Sequence, residues 1–262
     1  MISVLDSAHP LNAKADKHAG YEAHGRYLLG AYALAAKEVQ DATDHGVGIV
    51  SLCEKGPQAA LGGTTQGHLD AHAYVTQAER MRQPSGSVLI ATVDFDPTPA
   101  QLGSVLRYLE AFSADVRACG FISGAYGGTT VMQEVADHVD IRMQAAGWSN
   151  GITVPGCHLY QQLAQVVVGG VSCDLDLVGP GVSYYGAWNL HGLVPSPTTS
   201  STEDEMILTH LHDGQAVVVF PAESGYRPLG PEMQAWLLSA GYQFKPPLPQ
   251  NPPLKNLGPF SA

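Results

Sequence analysis

The sequence predicts an α/β protein: a (β/α)8 TIM-like barrel, degenerate on its closing side, followed by a small β-hairpin-plus-helix module and a Pro-rich tail. Three observations predict it. Eight short apolar runs alternate with helix-like segments across residues 2–178. The runs are near-continuously apolar, as strands are when a parallel sheet is covered on both faces. The composition, 45% hydrophobic and only 14% charged with 29 Gly and 18 Pro, is that of a globular chain rich in turns.

The strand-like runs are 2–8, 24–30, 47–56, 87–96, 118–127, 140–148, 158–164 and 170–178. Helix-like segments separate the first six. The clearest is PAQLGSVLRYLEAFSADVRA, in which Leu102, Val105, Leu106, Leu109 and Phe112 recur at three and four and form one apolar stripe. The last two connections, 149–157 and 165–169, are too short for full helices, and a complete barrel of this kind takes about 250 residues. A degenerate closing side follows. The expected organisation is a barrel over 1–180, a Gly/Pro/Ser/Thr-rich linker over 181–205, an accessory module over 206–245 and a Pro-rich tail over 246–262. The module begins with MILTHLHDGQAVVVFPA, whose Asp213-Gly214 is a hairpin signal. It continues with a helix opening at Pro231 and closing on Gly241.

A net charge of −11 excludes the basic footprint of a nucleic-acid binder and electrostatic attachment to anionic membranes. No apolar stretch approaches the roughly 20 residues of a membrane-spanning helix. The opening MISVLDSAHP has no basic n-region or apolar h-region, so no classical signal peptide is expected. Cys53, Cys119, Cys157 and Cys173 form no C-x-x-C pair and lie in or beside apolar runs, which reads as four buried free thiols. No cofactor is expected, since GAYGG and LGGTT match neither the phosphate-loop nor the dinucleotide fingerprint. No metal is expected either: His68 and His72 share a helix face, but the Glu of H-E-x-x-H is missing.

Polar residues near the strand ends are the candidate site, because barrel enzymes assemble their chemistry there from several strands. They are Asp6, Arg26, Glu54, Asp94, Asp96, Tyr126, Gln144, Trp148, Gln161, Asp174 and Asp176. Alternation puts Asp94 and Asp96 on one face. Two carboxyl groups confined together are pushed apart in pKa, giving the acid and the ionised partner that glycoside hydrolysis uses. Asp96 has a second reading as the cap of the helix beginning near Pro99, with Thr98 as the competing cap. Arg26 is expected to pair with one of these carboxylates.

The blocks AALGGTTQGHLDAHAYVTQAERM, GSVLIATVDFDPTPAQL, FISGAYGG, MQAAGWSNG, HLYQQL and GGVSCDLDLV, in this order, resemble a family of glycoside-hydrolase-like TIM-barrel proteins. That family is related to the family-25 muramidases and occurs in actinobacterial secreted proteins, phage lysins and phage tail proteins. The resemblance spans about residues 2–178. It implies an acidic pocket and peptidoglycan or another cell-wall glycan as ligand. It also implies a phage-encoded protein in the virion tail or released to the wall at lysis, with virion subunits as partners in an oligomeric assembly. Asp6 matches the family's first-strand Asp, and Asp94 the first acid of the D-x-E motif. Asp96 stands where that motif has Glu, one methylene shorter, and Glu54 is the longer carboxyl on the neighbouring strand. The implied activity is muramidase-like. The alternative is a glycan-binding or structural module without turnover.

Overall fold

The structure is a computed structural model describing residues 3–195 and the segments 207–210, 216–219 and 226–228. Eight strands form the barrel: β1 Ser3–Asp6, β2 Ala23–Tyr27, β3 Gly48–Cys53, β4 Val88–Thr92, β5 Ile122–Gly127, β6 Ile141–Ala145, β7 Leu159–Val168 and β8 Val171–Val178. Pairing runs β3-β2-β1-β8-β7-β6-β5-β4 and returns through β3–β4, so the sheet closes. The helices are α1 Ala13–His18, α2 Ala36–Asp44, α3 Gly63–Arg80, α4 Pro99–Ala118 and α5 Thr129–Glu134.

β1 through β7 run parallel, as expected. β8 does not: it is antiparallel to both β7 and β1. The connection 165–169 is therefore a hairpin arm, not a crossover. Gly169 and Gly170, at φ +58° and +84°, supply the two left-handed residues that a tight hairpin needs. A bulge between Gln161 and Gln165 separates the barrel part of β7 from its outer arm.

Two apolar layers follow from strand alternation. Val4, Ala23, Val50, Leu52, Val88, Ile90, Met143, Leu159 and Val178 fill the barrel. Leu89, Ala91, Ala125 and Ile49 face outward onto Tyr74, Val105, Leu109 and Phe112 of the helices. Of the stripe predicted on α4, Val105, Leu109 and Phe112 are buried, each contributing about 1.5–3 kcal/mol, and Leu102 and Leu106 are half-buried. Thr98 is its N-cap, Pro99 its first residue, and Gln101 Oε1 accepts the Thr98 N–H at 2.9 Å.

Residues 184–194 belong to the barrel. The short strands β9 Trp188–Asn189 and β10 Gly192–Leu193 form a hairpin, and Trp188 pairs with Ile49 of β3. Tyr185 and Ala187 enter the barrel interior, while Trp188 donates to Ser51 Oγ at 2.9 Å. Gly186 is required here: it has φ +91°, and a Cβ would lie 2.2 Å from Val88 Cγ1. Tyr185 and Ala187 thus stop the end of the barrel opposite the strand C-termini, and Trp188 anchors them from the outer layer. Cys53, Cys157 and Cys173 are buried, but Cys119 is exposed, since it caps the C-terminus of α4.

The chain divides into two compact units, Met1–Pro197 and Thr198–Ala262. In the second, β11 Ile207–His210 pairs antiparallel with β12 Ala216–Val219, the two strands flanking Asp213-Gly214, and β12 pairs with β13 Tyr226–Pro228. The helix expected over 231–241, the tail over 246–262 and the whole 196–205 segment lie outside the described residues. No helix of the described residues is long and apolar enough to cross a membrane.

Candidate active site

The strand register assembles the site at the C-terminal mouth. Asp6 ends β1 opposite Asp174 of β8, and Asp176 lies opposite Val4 and Gln161. Val4 and Val178 point into the barrel, so Asp6, Asp174 and Asp176 point there too. The interior side of β2 continues through Ala23 and Gly25 to Tyr27, and that of β3 through Val50 and Leu52 to Glu54. Asp94 follows Val88, Ile90 and Thr92 on the same phase.

Hydrogen bonds tie these groups together. Gln161 Nε2 donates to Asp6 Oδ2 at 3.2 Å, and Tyr126 Oη donates to Gln161 Oε1 at 2.7 Å. Trp148, in the 3₁₀ turn Ala146–Trp148 after β6, donates its indole N–H to Asp94 Oδ1 at 3.3 Å. Tyr27 hydrogen-bonds Glu54.

Burial sets the charge states. It pushes the Asp6 carboxyl up to about 7, helped by Asp174 and Glu54 and opposed by Arg26 and the Gln161 hydrogen bond. Asp176 is raised well above the carboxylate range by burial, then by Asp6 and Asp174. Both its oxygens are buried without a hydrogen-bond partner. Such a group is far less costly neutral than charged. Half-buried Glu54 is raised by desolvation and by Asp94, with Tyr27 opposing. The mouth therefore holds carboxyl groups that keep their protons beside others open to solvent.

Three predicted residues lie elsewhere. Arg26 is turned outward and buried; its Nε donates to Glu38 Oε1 at 2.8 Å and its Nη1 to the Ser7 carbonyl. It braces β2 against α2 and reaches Asp6 only through its charge. Gln144 also faces outward. Its Nε2 donates to Ser149 Oγ (2.8 Å) and the Ile152 carbonyl (2.7 Å), and its Oε1 accepts the Val154 N–H at 2.8 Å. It fixes the loop that carries Trp148. Asp96 is exposed beyond the end of β4 and accepts from Thr130 Oγ1 at 3.4 Å, where strand alternation no longer holds. The cap of α4 is Thr98, not Asp96.

Tyr27 was not foreseen. It was legible from alternation, one step past Arg26 and two past Gly25. His68 contacts Asp115 at 2.7 Å. Among the described residues, no group of three or more His, Cys, Asp or Glu is placed to hold a metal ion.

Closed barrel and acidic mouth together define a glycoside-hydrolase-like barrel. The chain belongs to the family described as Rv2525c-like, glycoside hydrolase-like domain, whose model matches residues 14–168, more than half of the 262. No curated protein matches it in sequence. Among solved structures it is similar to the Mycobacterium tuberculosis Tat-secreted protein Rv2525c, solved with L-tartrate. That likeness has 23% identity and a TM-score of 0.62 over 71% of this chain and 98% of that one. An uncharacterised B. stearothermophilus protein gives 19% identity and TM-score 0.55, over 69% and 97% of the two chains. The Clostridium perfringens spore cortex lytic enzyme SleM gives 10% and 0.50, over 86% and 77%. At these identities the likeness is one of fold.

Proposed function

We propose that this barrel is a peptidoglycan-directed, muramidase-like glycoside hydrolase, with Glu54 as proton donor, Asp94 stabilising charge on the sugar and Asp6 positioning it. One observation carries the reading: a half-buried carboxyl raised by its surroundings meets, at a single mouth, a second carboxylate held by an indole. Glycosidic hydrolysis uses that division of labour. Glu54 gives its proton to the bridging oxygen as the C–O bond breaks. Asp94 faces the positive charge that develops at the anomeric carbon. Water then adds its hydroxyl there and returns a proton to the carboxylate pair. Trp148, 38% exposed, offers its ring to a sugar face. SleM, by name a spore cortex lytic enzyme, supports a cell-wall glycan as the ligand class.

The finer reading is a phage-encoded protein, carried in the virion tail with other virion subunits or released to the wall at lysis. Sequence resemblance alone supports it, and mass spectrometry of purified particles tests it. One observation favours the alternative of glycan binding without turnover: Asp96, at the motif's Glu position, stands exposed outside the acidic cluster.

The discriminating experiment incubates purified protein with actinobacterial cell walls. The hydrolase releases reducing ends, and Glu54→Gln and Asp94→Asn each abolish the release. Wall pelleting without release establishes the binding module instead. Neither release nor pelleting refutes both.

A further inference from the structure

Beside Glu54, on the outer side of the mouth, lies a cavity of about 250 Å³ that the chemistry above does not use. Leu29 and Gly30 after β2, Glu54 and Lys55 after β3, and Asp70 and Tyr74 of α3 line it. Ligand pockets for drug-sized molecules run to about 300–1,000 Å³, so this one admits a substituent and not another sugar chain.

Its polar lining is built. Asp70 is 1% exposed, yet fully engaged. Its Oδ1 accepts from Gln66 Nε2 at 2.7 Å and its Oδ2 from Tyr108 Oη at 3.1 Å. Lys55 Nζ sits 3.4 Å from Oδ1, with the Lys55 side chain 60% exposed. An ammonium has three donors, so this contact leaves others free. Tyr74 is also 1% exposed and lines the cavity, and none of the hydrogen bonds among the described residues involves its hydroxyl. Burial, with the charges of Cys53, Asp70 and Glu54, raises Tyr74 and keeps its proton on. The cavity thus presents a cation and an unused O–H donor, at the edge of a mouth otherwise lined by acids. Both can donate to an incoming oxygen acceptor.

We propose that this cavity is a subsite for a carboxylate or carboxamide substituent of the sugar bound across the mouth, with Lys55 and Tyr74 as donors and Asp70 as the group that positions Lys55. The inference rests on the glycan reading above. It supplies what that reading lacks, a feature that separates an acyl-ether sugar from a plain N-acetyl hexosamine. Glu54 lines both the mouth and the cavity, so a substituent seated here places the glycosidic bond against the proposed acid.

Binding, rather than cleavage, tests it. The full-length protein is titrated by calorimetry with N-acetylmuramic acid, with its dipeptide amide, and with N-acetylglucosamine. The expected result is at least roughly tenfold tighter binding of the acid than of N-acetylglucosamine, with the ratio falling to about one in Lys55→Met and most of it lost in Tyr74→Phe. A charge-driven preference also falls with added salt. Preference for the amide over the free acid assigns the seat to the carboxamide. Equal binding of acid and N-acetylglucosamine by the wild type, or a preference that survives both substitutions, overturns the subsite. D-lactate separates this outcome from failure of the glycan reading. If no sugar binds but D-lactate shifts the Lys55 and Tyr74 NMR resonances in wild type and not in Lys55→Met, the subsite stands and the glycan reading fails. If D-lactate shifts nothing either, the subsite is refuted too.

Discussion

Replacing Asp6 by Asn tests the electrostatics of the mouth without disturbing its shape. Asn has the outline of a protonated Asp, and its carbonyl oxygen can still accept from Gln161 Nε2, which lies 3.2 Å from Asp6 Oδ2. The folded carboxyl is raised from 3.8 to about 7, chiefly by burial and then by Asp174. A raised acid binds its proton more tightly when folded than when unfolded. Its contribution is therefore fully present below pH 3.8 and is lost as pH rises through about 7. Each tenfold difference in proton affinity is worth about 1.4 kcal/mol. At pH 5 the loss is about 2 kcal/mol, and by pH 8 it is about 4 kcal/mol.

The gap between wild type and Asp6→Asn should thus widen by roughly 2–3 kcal/mol between pH 5 and pH 8, in favour of the variant. Urea unfolding of the full-length chain, followed by circular dichroism at both pH values, measures it. Other titrating groups, Asp176 included, move both curves, so the difference between proteins is the quantity to read. Parallel stability profiles, or a variant that loses ground on going to pH 8, would refute the assignment of Asp6 as a buried acid strained by its neighbours.

Three further substitutions probe the frame around the mouth, with Gly103→Ala as a control. Gly128→Ala would bring a Cβ to 2.2 Å from the Trp148 carbonyl oxygen, so the 3₁₀ turn must move. We expect a cost of about 1–3 kcal/mol, a shifted tryptophan emission and weaker wall binding, whereas Gly103→Ala on exposed α4 should gain up to about 1 kcal/mol. Gln144→Ala strands the Val154 N–H and the Ile152 carbonyl. It should cost about 1–3 kcal/mol and speed hydrogen exchange at Val154, and unchanged protection there would remove Gln144 as the loop's anchor. Arg26→Met leaves half-buried Glu38 with only its bond from the Ala35 N–H and removes the charge that lowers Asp6. It should destabilise by roughly 3–5 kcal/mol and raise the Asp6 carboxyl further, as read by carboxyl carbon NMR.

All eight barrel strands and the five helices between them were legible, because apolar runs and a 3.6-residue stripe are local signals. What was lost depended on phase and on distance. Arg26 and Gln144 were chosen for their chemistry, but a one-residue step along a strand exchanges interior for exterior. Fixing that phase needed the small residues beside them: Gly25 sits inside, where a Cβ would come within 3.1 Å of Asp6 Cβ, and Ala145 packs in the barrel interior. Tyr27 follows once that phase is set. The reversal of β8 had a signal in Gly169-Gly170 between two apolar runs. The stop formed by Tyr185, Ala187 and Trp188 had none, since its partner strand β3 lies more than a hundred residues earlier.

The same distinction bears on the doubtful acid. Reading VDFDPTP as a strand makes Asp94 and Asp96 equivalent, and the structure separates them. Val93 N–H still donates to the Tyr126 carbonyl at 2.9 Å, so the ladder carries Asp94 to the mouth and stops before Asp96. Pro97 and Pro99 then turn the chain into α4, and Asp96 is left on the exposed rim beside Thr130. At that place Asp96 is exposed and lies outside the cluster of carboxyl groups at the mouth. Glu54, after the adjacent strand and with a side chain one methylene longer, is half-buried and is raised by burial and by Asp94. If the mouth turns over a glycan, the proton should come from β3 and not from β4. Asp96→Asn should then leave the rate within about twofold while Glu54→Gln abolishes it. The reverse pattern would return the acid to the family motif's own position.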